Sequence, residues 1–253
     1  MPRDGRVVAI VQARMGSRRL PGKVLADIAG RPMLERVLRR VRASRIAHEA
    51  VLATSTDPAD DPIAALGARL RVHTVRGSAE DVLDRFHQAA EESQAEVIVR
   101  ITGDCPLIDA ELIDETIRAF LQAEPRVDFA CNRLPWERTY PIGTDTEVCS
   151  RAALDAAWLE ADEPHQREHV MPFLYENQPR FRILHVRSSD PALGEMRWTV
   201  DAPEDLTFVR EVFSRFHGRE DFSWREVVNL LRREPTLERI NMDVVHKTHR
   251  DVG

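Results

Sequence analysis

A basic loop that contains glycines directly follows the first apolar segment of the chain. Residues 7–11 read VVAIV, and residues 12–25 read QARMGSRRLPGKVL. Glycines and a serine let the backbone of this loop turn with its amides exposed, and four cations surround the turn: Arg14, Arg18, Arg19 and Lys23. Exposed amides and fixed cations suit a polyphosphate, because its charge is spread over many oxygens. The spacing is not that of an ATPase P-loop, and a solvated basic loop is the alternative interpretation.

Two aspartates are expected at the same edge of the sheet as this loop. Asp104 follows residues 96–102, which read EVIVRIT, and Asp201 follows residues 196–200, which read MRWTV; both segments are predicted as strands. Ligands collect at the carboxyl ends of strands in open α/β sheets. Since Mg²⁺ takes one or two carboxylates together with phosphate oxygens and water, the sequence predicts a Mg²⁺ site at Asp104 and Asp201. The ordinary structural alternatives are a turn residue for the first aspartate and a helix N-cap for the second.

Three segments resemble the landmarks of the cytidylyltransferases that activate acidic sugars, such as the CMP-Kdo and CMP-acylneuraminate synthetases. They read QARMGSRRLPGK, ITGDCPLID and RWTVDAPEDL. The SpsF-like branch of that family is more similar still, because four further segments match it: RGSAEDVLDRF (76–86), YPIGTDTEV (140–148), REHVMPFLY (167–175) and Ile240-Asn241. The resemblance implies a Rossmann-like nucleotidyltransferase fold and a Mg²⁺-dependent reaction of CTP with an acceptor. The products would be the CMP-acceptor and pyrophosphate, for use in surface polysaccharide biosynthesis.

The resemblance also implies roles for individual residues. Arg14 and Lys23 would be the catalytic cations that hold the triphosphate, and Asp104 and Asp201 would bind the metal. The expected nucleotide contacts are Gln12, Ala13, Gly16, Ser17, Arg76, Gly77 and Ser78. The expected partners are a nucleoside triphosphate, most simply CTP, and a small sugar or sugar-acid acceptor.

The second half of the chain is expected to supply the acceptor contacts. Asp145 and Glu147 in the segment TDTEV would point to the same face of a strand, where they either contact the acceptor hydroxyls or face solvent. A helix over residues 165–177 would bring Arg167 or His169 to the acceptor pocket.

Other functions stay open at this point. His165, Glu168 and His169 match H-x-x-E-H, the pattern of inverted zinc peptidases, so a zinc peptidase is a remote alternative. A sugar-1-phosphate nucleotidyltransferase, a nucleotide-sugar glycosyltransferase of related fold and a non-catalytic nucleotide sensor are the others.

Alternating strands and helices must position these groups. Strands are predicted over 7–13, 49–55, 70–75 and 96–102, with helical patterns between them and over 110–122. Ser78, with Asp81 three residues later, is the expected start of one of these helices. The alternation is typical of βαβ units, so the predicted fold class is α/β, with a mostly parallel sheet flanked by helices.

We expect a single nucleotidyltransferase domain over residues 1–253. Within it, 132–195 is predicted as a β-rich insertion for acceptor binding and dimerisation, and 203–253 as a C-terminal helical segment. A homodimer is expected from the family resemblance and from the apolar, loop-rich residues 132–150.

Composition limits the classes of partner. The chain has 253 residues, of which 43% are hydrophobic and 31% are charged, as in ordinary globular proteins. A net charge of −6 argues against a general nucleic-acid binder, whereas the local positive charge at 14–23 favours a small anionic ligand. No apolar segment approaches the roughly 18 residues that span a bilayer, and no secretion signal is visible. We therefore expect no membrane partner and a cytoplasmic location.

Overall fold

The computed structural model of the protein describes residues 5–217 and 219–245. The strands, in chain order, are β1 (Val7–Gln12), β2 (Asp27–Ile28), β3 (Arg31–Pro32), β4 (Glu49–Ser55), β5 (His73–Gly77), β6 (Val97–Thr102), β7 (Phe129–Cys131), β8 (Arg133–Leu134), β9 (Glu137–Arg138), β10 (Glu147–Ser150) and β11 (Ile183–His185). The α-helices are α1 (Met33–Val41), α2 (Asp61–Leu70), α3 (Val82–Glu92), α4 (Ala110–Gln122), α5 (Arg151–Glu160), α6 (Pro164–His169), α7 (Pro172–Glu176), α8 (Pro203–Arg215) and α9 (Trp224–Arg233). Within the described ranges, no helix is both long enough and apolar enough to cross a lipid bilayer.

Seven strands form one sheet in the order β11-β7-β10-β6-β1-β4-β5. Parallel ladders join β1 to β4 and to β6, β4 to β5, and β7 to β11. β10 runs antiparallel to both of its neighbours, β6 and β7. The predicted α/β fold with a mostly parallel, helix-flanked sheet is therefore confirmed.

Residues 132–195 are part of this sheet. They contribute β10, which lies between β6 and β7, and the edge strand β11. They also form the small antiparallel pair β8–β9 and three helices, α5, α6 and α7. The segment therefore combines strands with helices, and the central sheet cannot be completed without it.

The hydrophobic core lies on both faces of the sheet. Val7, Ala9 and Val11 of β1 pack into one cluster with α1, α2, α4, α8 and α9. Val8 and Ile10 pack into a second cluster with α3, α5 and α7. Because both faces are covered, β1 is apolar along almost its whole length, as is typical of a parallel strand.

Two predicted element boundaries are shifted, each for a local reason. The strand predicted over 70–75 begins at His73, because Leu70 is the last residue of α2 and Arg71 ends that helix with φ of 53°. The helix predicted from Ser78 begins at Val82, because the Asp81 side chain caps it by accepting from the Asp84 amide at 2.9 Å. By contrast, 49–55 and 110–122 have the predicted bounds.

Residues 196–200 were predicted as a strand, but they form only an isolated parallel bridge, between Arg197 and Ile142. This short stretch is held instead by backbone hydrogen bonds on both sides. The Trp198 amide donates to the Ile142 carbonyl at 2.7 Å, and the Val200 amide donates to the Asp104 carbonyl at 2.9 Å. The extended backbone therefore delivers Asp201 to the end of β6.

Asp205 anchors the turn that carries Asp201. Its carboxylate is fully buried and accepts from Arg197 Nε at 2.8 Å, from Arg197 Nη2 at 2.9 Å and from Asn241 Nδ2 at 2.9 Å. The amides of Asp201 and Ala202 also donate to it, at 2.9 and 3.0 Å. Burial alone would raise the pKa of Asp205, but these donors outweigh burial, so its pKa is lowered and the carboxylate is charged.

Replacing Asp205 is expected to destabilise the protein strongly. Asp205→Ala leaves the buried Arg197 guanidinium without this partner, and removal of one member of a buried ion pair costs about 3–5 kcal/mol. Urea unfolding, monitored by circular dichroism, measures the change in the free energy of unfolding.

Glu211→Ala is the control on the same helix, because Glu211 has a side chain that is 43% exposed and pairs only at the surface with Arg215. It should cost less than about 1 kcal/mol. Equal effects of the two substitutions would contradict the role given to Asp205.

Candidate active site

A cavity of about 290 Å³ opens at the carboxyl ends of β1 and β6, where open α/β sheets bind ligands. Most of the residues predicted from the sequence line it: Gln12, Ala13, Arg14, Gly16, Ser17, Lys23, Asp104, Asp145, Glu147, His169 and Asp201. The fold thus brings groups from distant parts of the chain to one place.

The basic loop after β1 is held in shape by a few backbone contacts. The Met15 carbonyl accepts from the Gly22 amide at 3.1 Å, and the Met15 amide donates to the Asp60 carboxylate at 2.7 Å. Gly22 has φ of 70°, in the left-handed region that favours glycine. Gly103 lies close beneath the loop, because a Cβ atom there would be 2.7 Å from the Gln12 carbonyl oxygen. A larger residue at position 103 would push the loop away from the sheet.

Lys23 lies between the two predicted metal ligands. Its Nζ donates to Asp104 Oδ2 at 2.7 Å, to Asp201 Oδ1 at 2.6 Å and to the Val200 carbonyl at 2.7 Å. Arg19 donates to the other oxygen of Asp201 at 2.9 Å. Because both carboxylates reach the same nitrogen atom, they occupy one small volume. We call Lys23, Asp104 and Asp201 the ion triad.

Mutual attraction keeps the ion triad charged. Lys23 is only 8% exposed, and burial alone would lower its pKa, but the attraction of Asp104 and Asp201 outweighs burial and raises the pKa. Burial would likewise raise the pKa of Asp201, but Lys23 and then Arg19 outweigh it, so the pKa is lowered. The free protein therefore holds the Lys23 ammonium group against the Asp201 carboxylate at the basic loop.

The predicted acceptor residue Glu147 is held by an arginine. Glu147 is the first residue of β10, is 3% exposed and forms an ion pair with Arg100 of β6. Arg100 also donates from Nε to the Gln12 side-chain oxygen at 3.0 Å. The Glu147 carboxylate is therefore neutralised within the protein, and this row of side chains forms one wall of the cavity.

Asp145, the second predicted acceptor residue, is paired in a similar way. Arg138 contacts both of its carboxylate oxygens, one of them at 3.1 Å. Arg133, which lines the cavity, lies farther away, with Nε 3.8 Å from Asp145. Burial alone would lower the pKa of Arg133, but the attraction of Asp145 and Glu147 raises it. Arg133 therefore presents a charged guanidinium to the cavity, and its ion pair with Asp145 is longer than the one between Arg138 and Asp145.

Helix α6 carries the residues that match a zinc-peptidase pattern, but it does not arrange them as a metal site. Glu168 pairs with Arg14 at 3.1 Å, whereas His165 pairs with Glu176 at 2.9 Å. His169 lines the cavity. Across residues 5–217 and 219–245, no group of three or more His, Cys, Asp and Glu side chains could hold a metal ion together. The zinc-peptidase alternative therefore has no support in the structure.

Four predicted site residues do not line the cavity. Three of them follow one another at the end of β5. Arg76 donates to the Ser55 carbonyl at 2.8 Å and pairs with Asp61 at 2.8 Å. Gly77 is buried, and Ser78 Oγ accepts from the Asp81 amide at 3.1 Å. Arg76 therefore ties β5 to the end of β4 and the start of α2, whereas Ser78 shapes the turn between β5 and α3.

Arg167 is the fourth, and it links helices instead of facing the cavity. It pairs with Asp81 at the start of α3 and donates to the Trp158 carbonyl of α5 at 2.7 Å. Arg167 does not line the cavity, because Asp81 and the Trp158 carbonyl hold its guanidinium. Its expected contact with an acceptor stays a prediction.

Sequence reasoning missed several residues that line the cavity, among them Arg85, Arg100, Arg133 and Tyr175. Arg100 carried a signal, because it is a charged residue inside the otherwise apolar VIVRIT of β6. Arg85 carried a weaker one, a charge between the buried Leu83 and Phe86. Arg133 and Tyr175 come from the second half of the chain, and no pattern there distinguished them.

Comparisons with known proteins agree with this geometry. A family model described as cytidylyltransferase matches residues 8–220. The chain is 32% identical over 235 residues to the spore coat polysaccharide biosynthesis protein SpsF of Bacillus subtilis (strain 168), covering 90% of this chain and 95% of that protein. It is 41% identical over 111 residues to the 3-deoxy-manno-octulosonate cytidylyltransferase of Geobacter sulfurreducens, covering 44% of each. The solved structure of a cytidylyltransferase from Leptospira borgpetersenii matches with a TM-score of 0.89 at 30% identity, covering 96% of this chain and 100% of that one.

The lowered pKa of Asp201 predicts how the ion triad affects stability as the pH changes. A carboxyl group whose folded-state pKa is below its ordinary value of 3.8 stabilises the fold fully above that value. The stabilisation is lost as the pH falls through the folded-state pKa. The difference in the free energy of unfolding between the wild type and Asp201→Asn should therefore be constant from about pH 5 to pH 8 and shrink below about pH 4.

Urea unfolding of both proteins across this range, without divalent metal, measures the difference. Asp221→Asn is the control, since the Asp221 side chain is 82% exposed. A difference between the wild type and Asp201→Asn that stays constant down to about pH 3 would contradict the shifted pKa.

Proposed function

This chain belongs to the cytidylyltransferase family, and from that premise we propose that it transfers CMP from CTP to a sugar or sugar acid. The B. subtilis relative is named for spore coat polysaccharide biosynthesis, and the G. sulfurreducens relative is named for 3-deoxy-manno-octulosonate. We extend both to this chain as a role in the synthesis of a surface polysaccharide. The predicted homodimer and cytoplasmic location stay predictions.

The ion triad is the observation that carries the proposal. It places a buried ammonium group and two carboxylates beside a glycine-containing basic loop. In the proposed reaction the oxygen of an acceptor hydroxyl forms a bond to the α-phosphorus of CTP, and the hydroxyl proton passes to solvent. The bond from that phosphorus to the bridging oxygen breaks, and pyrophosphate leaves with the electron pair. The protein's part is to position the reactants and stabilise the charge that develops on the oxygens.

Lys23 would bind the triphosphate by replacing one of its three present hydrogen bonds with a hydrogen bond to a phosphate oxygen. An ammonium group has three N–H donors, and Lys23 directs them to Asp104, Asp201 and the Val200 carbonyl. It therefore reaches a phosphate oxygen only by releasing one of these acceptors. Arg14, Gly16 and Ser17 line the same cavity and are the proposed further phosphate contacts.

The chemistry of Asp104 and Asp201 fits the proposed Mg²⁺. Both are oxygen donors at the cavity, and they lie close enough together to contact one Lys23 nitrogen. Two protein carboxylates suffice for Mg²⁺, which takes its other ligands from phosphates and water. When bound, the ion would offset the charge that builds up on the phosphate oxygens.

Two other arginines of the cavity support a sugar acid as the acceptor. Arg100 and Arg133 both line the cavity, and Arg133 is the more loosely neutralised, with its nearest carboxylate 3.8 Å away. Guanidinium groups recognise carboxylates through paired N–H donors. The expected acceptor therefore carries a carboxylate in addition to the hydroxyl group that attacks.

A pyrophosphate-release screen tests this function. CTP, UTP, GTP and ATP are each combined with Mg²⁺ and with sugar acids, neutral sugars or sugar 1-phosphates. We expect release with CTP and a sugar acid. Release only with sugar 1-phosphates would favour the sugar-1-phosphate nucleotidyltransferase, and the absence of release with every acceptor would favour a nucleotide sensor.

Replacing Lys23 should slow the reaction without unfolding the protein. Lys23→Ala is expected to lower kcat at least about a hundredfold, because loss of one preorganised charge stabiliser raises the barrier by about 3–4 kcal/mol. Steady-state pyrophosphate release measures kcat, and circular dichroism checks the fold. Arg31→Ala, which removes a half-exposed cation outside the cavity, should leave kcat unchanged. A near-normal kcat in Lys23→Ala would remove Lys23 from the mechanism.

A further inference from the structure

Arg85 is a buried cation at the wall of the cavity. It belongs to the start of α3, is 1% exposed and lines the cavity. Its Nη1 donates to the carbonyls of Ser78 and Ala79, the latter at 3.3 Å. Its Nε atom is also buried, and no hydrogen-bond acceptor for it exists among the described residues.

The guanidinium of Arg85 has no carboxylate partner in the part of the chain that the structure describes. Asp60 and Asp81 are near enough to attract it, but both are engaged elsewhere. Asp60 accepts from the Met15 amide at 2.7 Å, and Asp81 forms an ion pair with Arg167. A buried charge without a partner is costly, and the described residues do not supply the counter-charge that this position needs.

A second arginine lies close to Arg85. Both line the cavity, and the pKa of Arg85 is lowered by burial first and then by repulsion from Arg14. Arg14 pairs with Glu168 at 3.1 Å. Among the described residues, the Glu168 carboxylate is the ion-pair partner given for these two guanidinium groups, so positive charge is in excess on this side of the cavity.

We propose that Arg85 and Arg14 form a phosphate-binding pair, and that the phosphate chain of the nucleotide supplies the counter-charge that Arg85 lacks. The proposal deepens the proposed function, since it takes the ligand to be a nucleoside triphosphate. Arg85 lies on α3, which packs in the hydrophobic cluster on one face of the sheet. Lys23 is next to Val24, which packs in the cluster on the other face. The phosphate chain would thus be held by cations from both faces.

Gly77 makes room for this arginine. A Cβ atom at position 77 would lie 2.8 Å from Arg85 Cγ, closer than real contacts allow. Cγ is near the backbone, so the whole side chain would have to move. Gly77→Ala is therefore a second way to displace the guanidinium while its charge is kept.

Isothermal titration calorimetry with Mg²⁺ and three ligands tests the pair. The ligands are CTP, inorganic tripolyphosphate and cytidine, which has no phosphate. Arg85→Met and Gly77→Ala should weaken binding of CTP and of tripolyphosphate at least about tenfold, as expected for loss of a charge-assisted contact. Arg85→Lys should lose less, and cytidine binding should not change.

Arg69→Met is the matched control, because Arg69 is a helical arginine whose side chain is 60% exposed and lies outside the cavity. It should bind all three ligands as the wild type does. Unchanged binding of CTP and tripolyphosphate by Arg85→Met would overturn the proposal. So would an equal loss for cytidine, which would indicate a role in base recognition or in folding.

Thermal melting of the ligand-free proteins separates substrate binding from folding. Removal of an uncompensated buried charge is often neutral or stabilising, so the melting temperature of Arg85→Met should stay near that of the wild type. A large fall in melting temperature together with equal losses for all ligands would overturn the proposal.

If the wild type binds tripolyphosphate and another nucleoside triphosphate but does not bind CTP, the proposed use of CTP is wrong. The Arg85 variants are then measured with the triphosphate that binds, and the same tenfold loss is expected. If the wild type binds neither tripolyphosphate nor any nucleoside triphosphate, the phosphate-binding pair is overturned as well.

Discussion

The ammonium group of Lys23 joins three segments that are far apart in the sequence. Its N–H donors contact the carboxylates of Asp104 and Asp201 and the carbonyl of Val200. The Val200 amide donates in turn to the Asp104 carbonyl, so the backbone ties the same segments together. Because a partly buried charge is costly without a partner, each of the three charges requires the others. The contacts that hold these segments together at the carboxyl end of β6 therefore also bring the site residues together.

The arginines around the cavity fall into two groups that do different work. Arg100 and Arg138 pair closely with Glu147 and Asp145, and these pairs fix the shape of the wall. Arg85 has no such partner among the described residues, and Arg133 is 3.8 Å from its nearest carboxylate. A charge that the protein itself does not neutralise attracts an anionic ligand. Because carboxylates of the described residues pair closely with some of these arginines and not with others, a protein with a net negative charge has a cavity with unpaired positive charge.

The sequence predicts the position of a site residue only where that residue directly follows a strand with a clear apolar pattern. Apolar runs predicted β1, β4 and β6, and the meeting of Asp104 with Asp201 followed from the rule that polar groups at strand ends share one edge. The Asp60 contact to Met15 had no such signal, because it depends on the turn between β4 and α2. Arg85 carried only a weak signal, since its burial depends on how closely α3 packs against β5.

Residues 76–78 illustrate why matching a motif does not by itself give a residue's role. The family resemblance placed them in contact with the nucleotide, yet none of them lines the cavity. Arg76 holds the end of β4 through the Ser55 carbonyl, and Gly77 leaves the space that Arg85 occupies. The Ser78 carbonyl accepts from the Arg85 guanidinium. Arg76 therefore supports a strand end, and Gly77 and Ser78 help to position Arg85, so a substitution here would alter the site by moving Arg85 or that strand end. The nucleotide contacts expected of these three residues stay predictions.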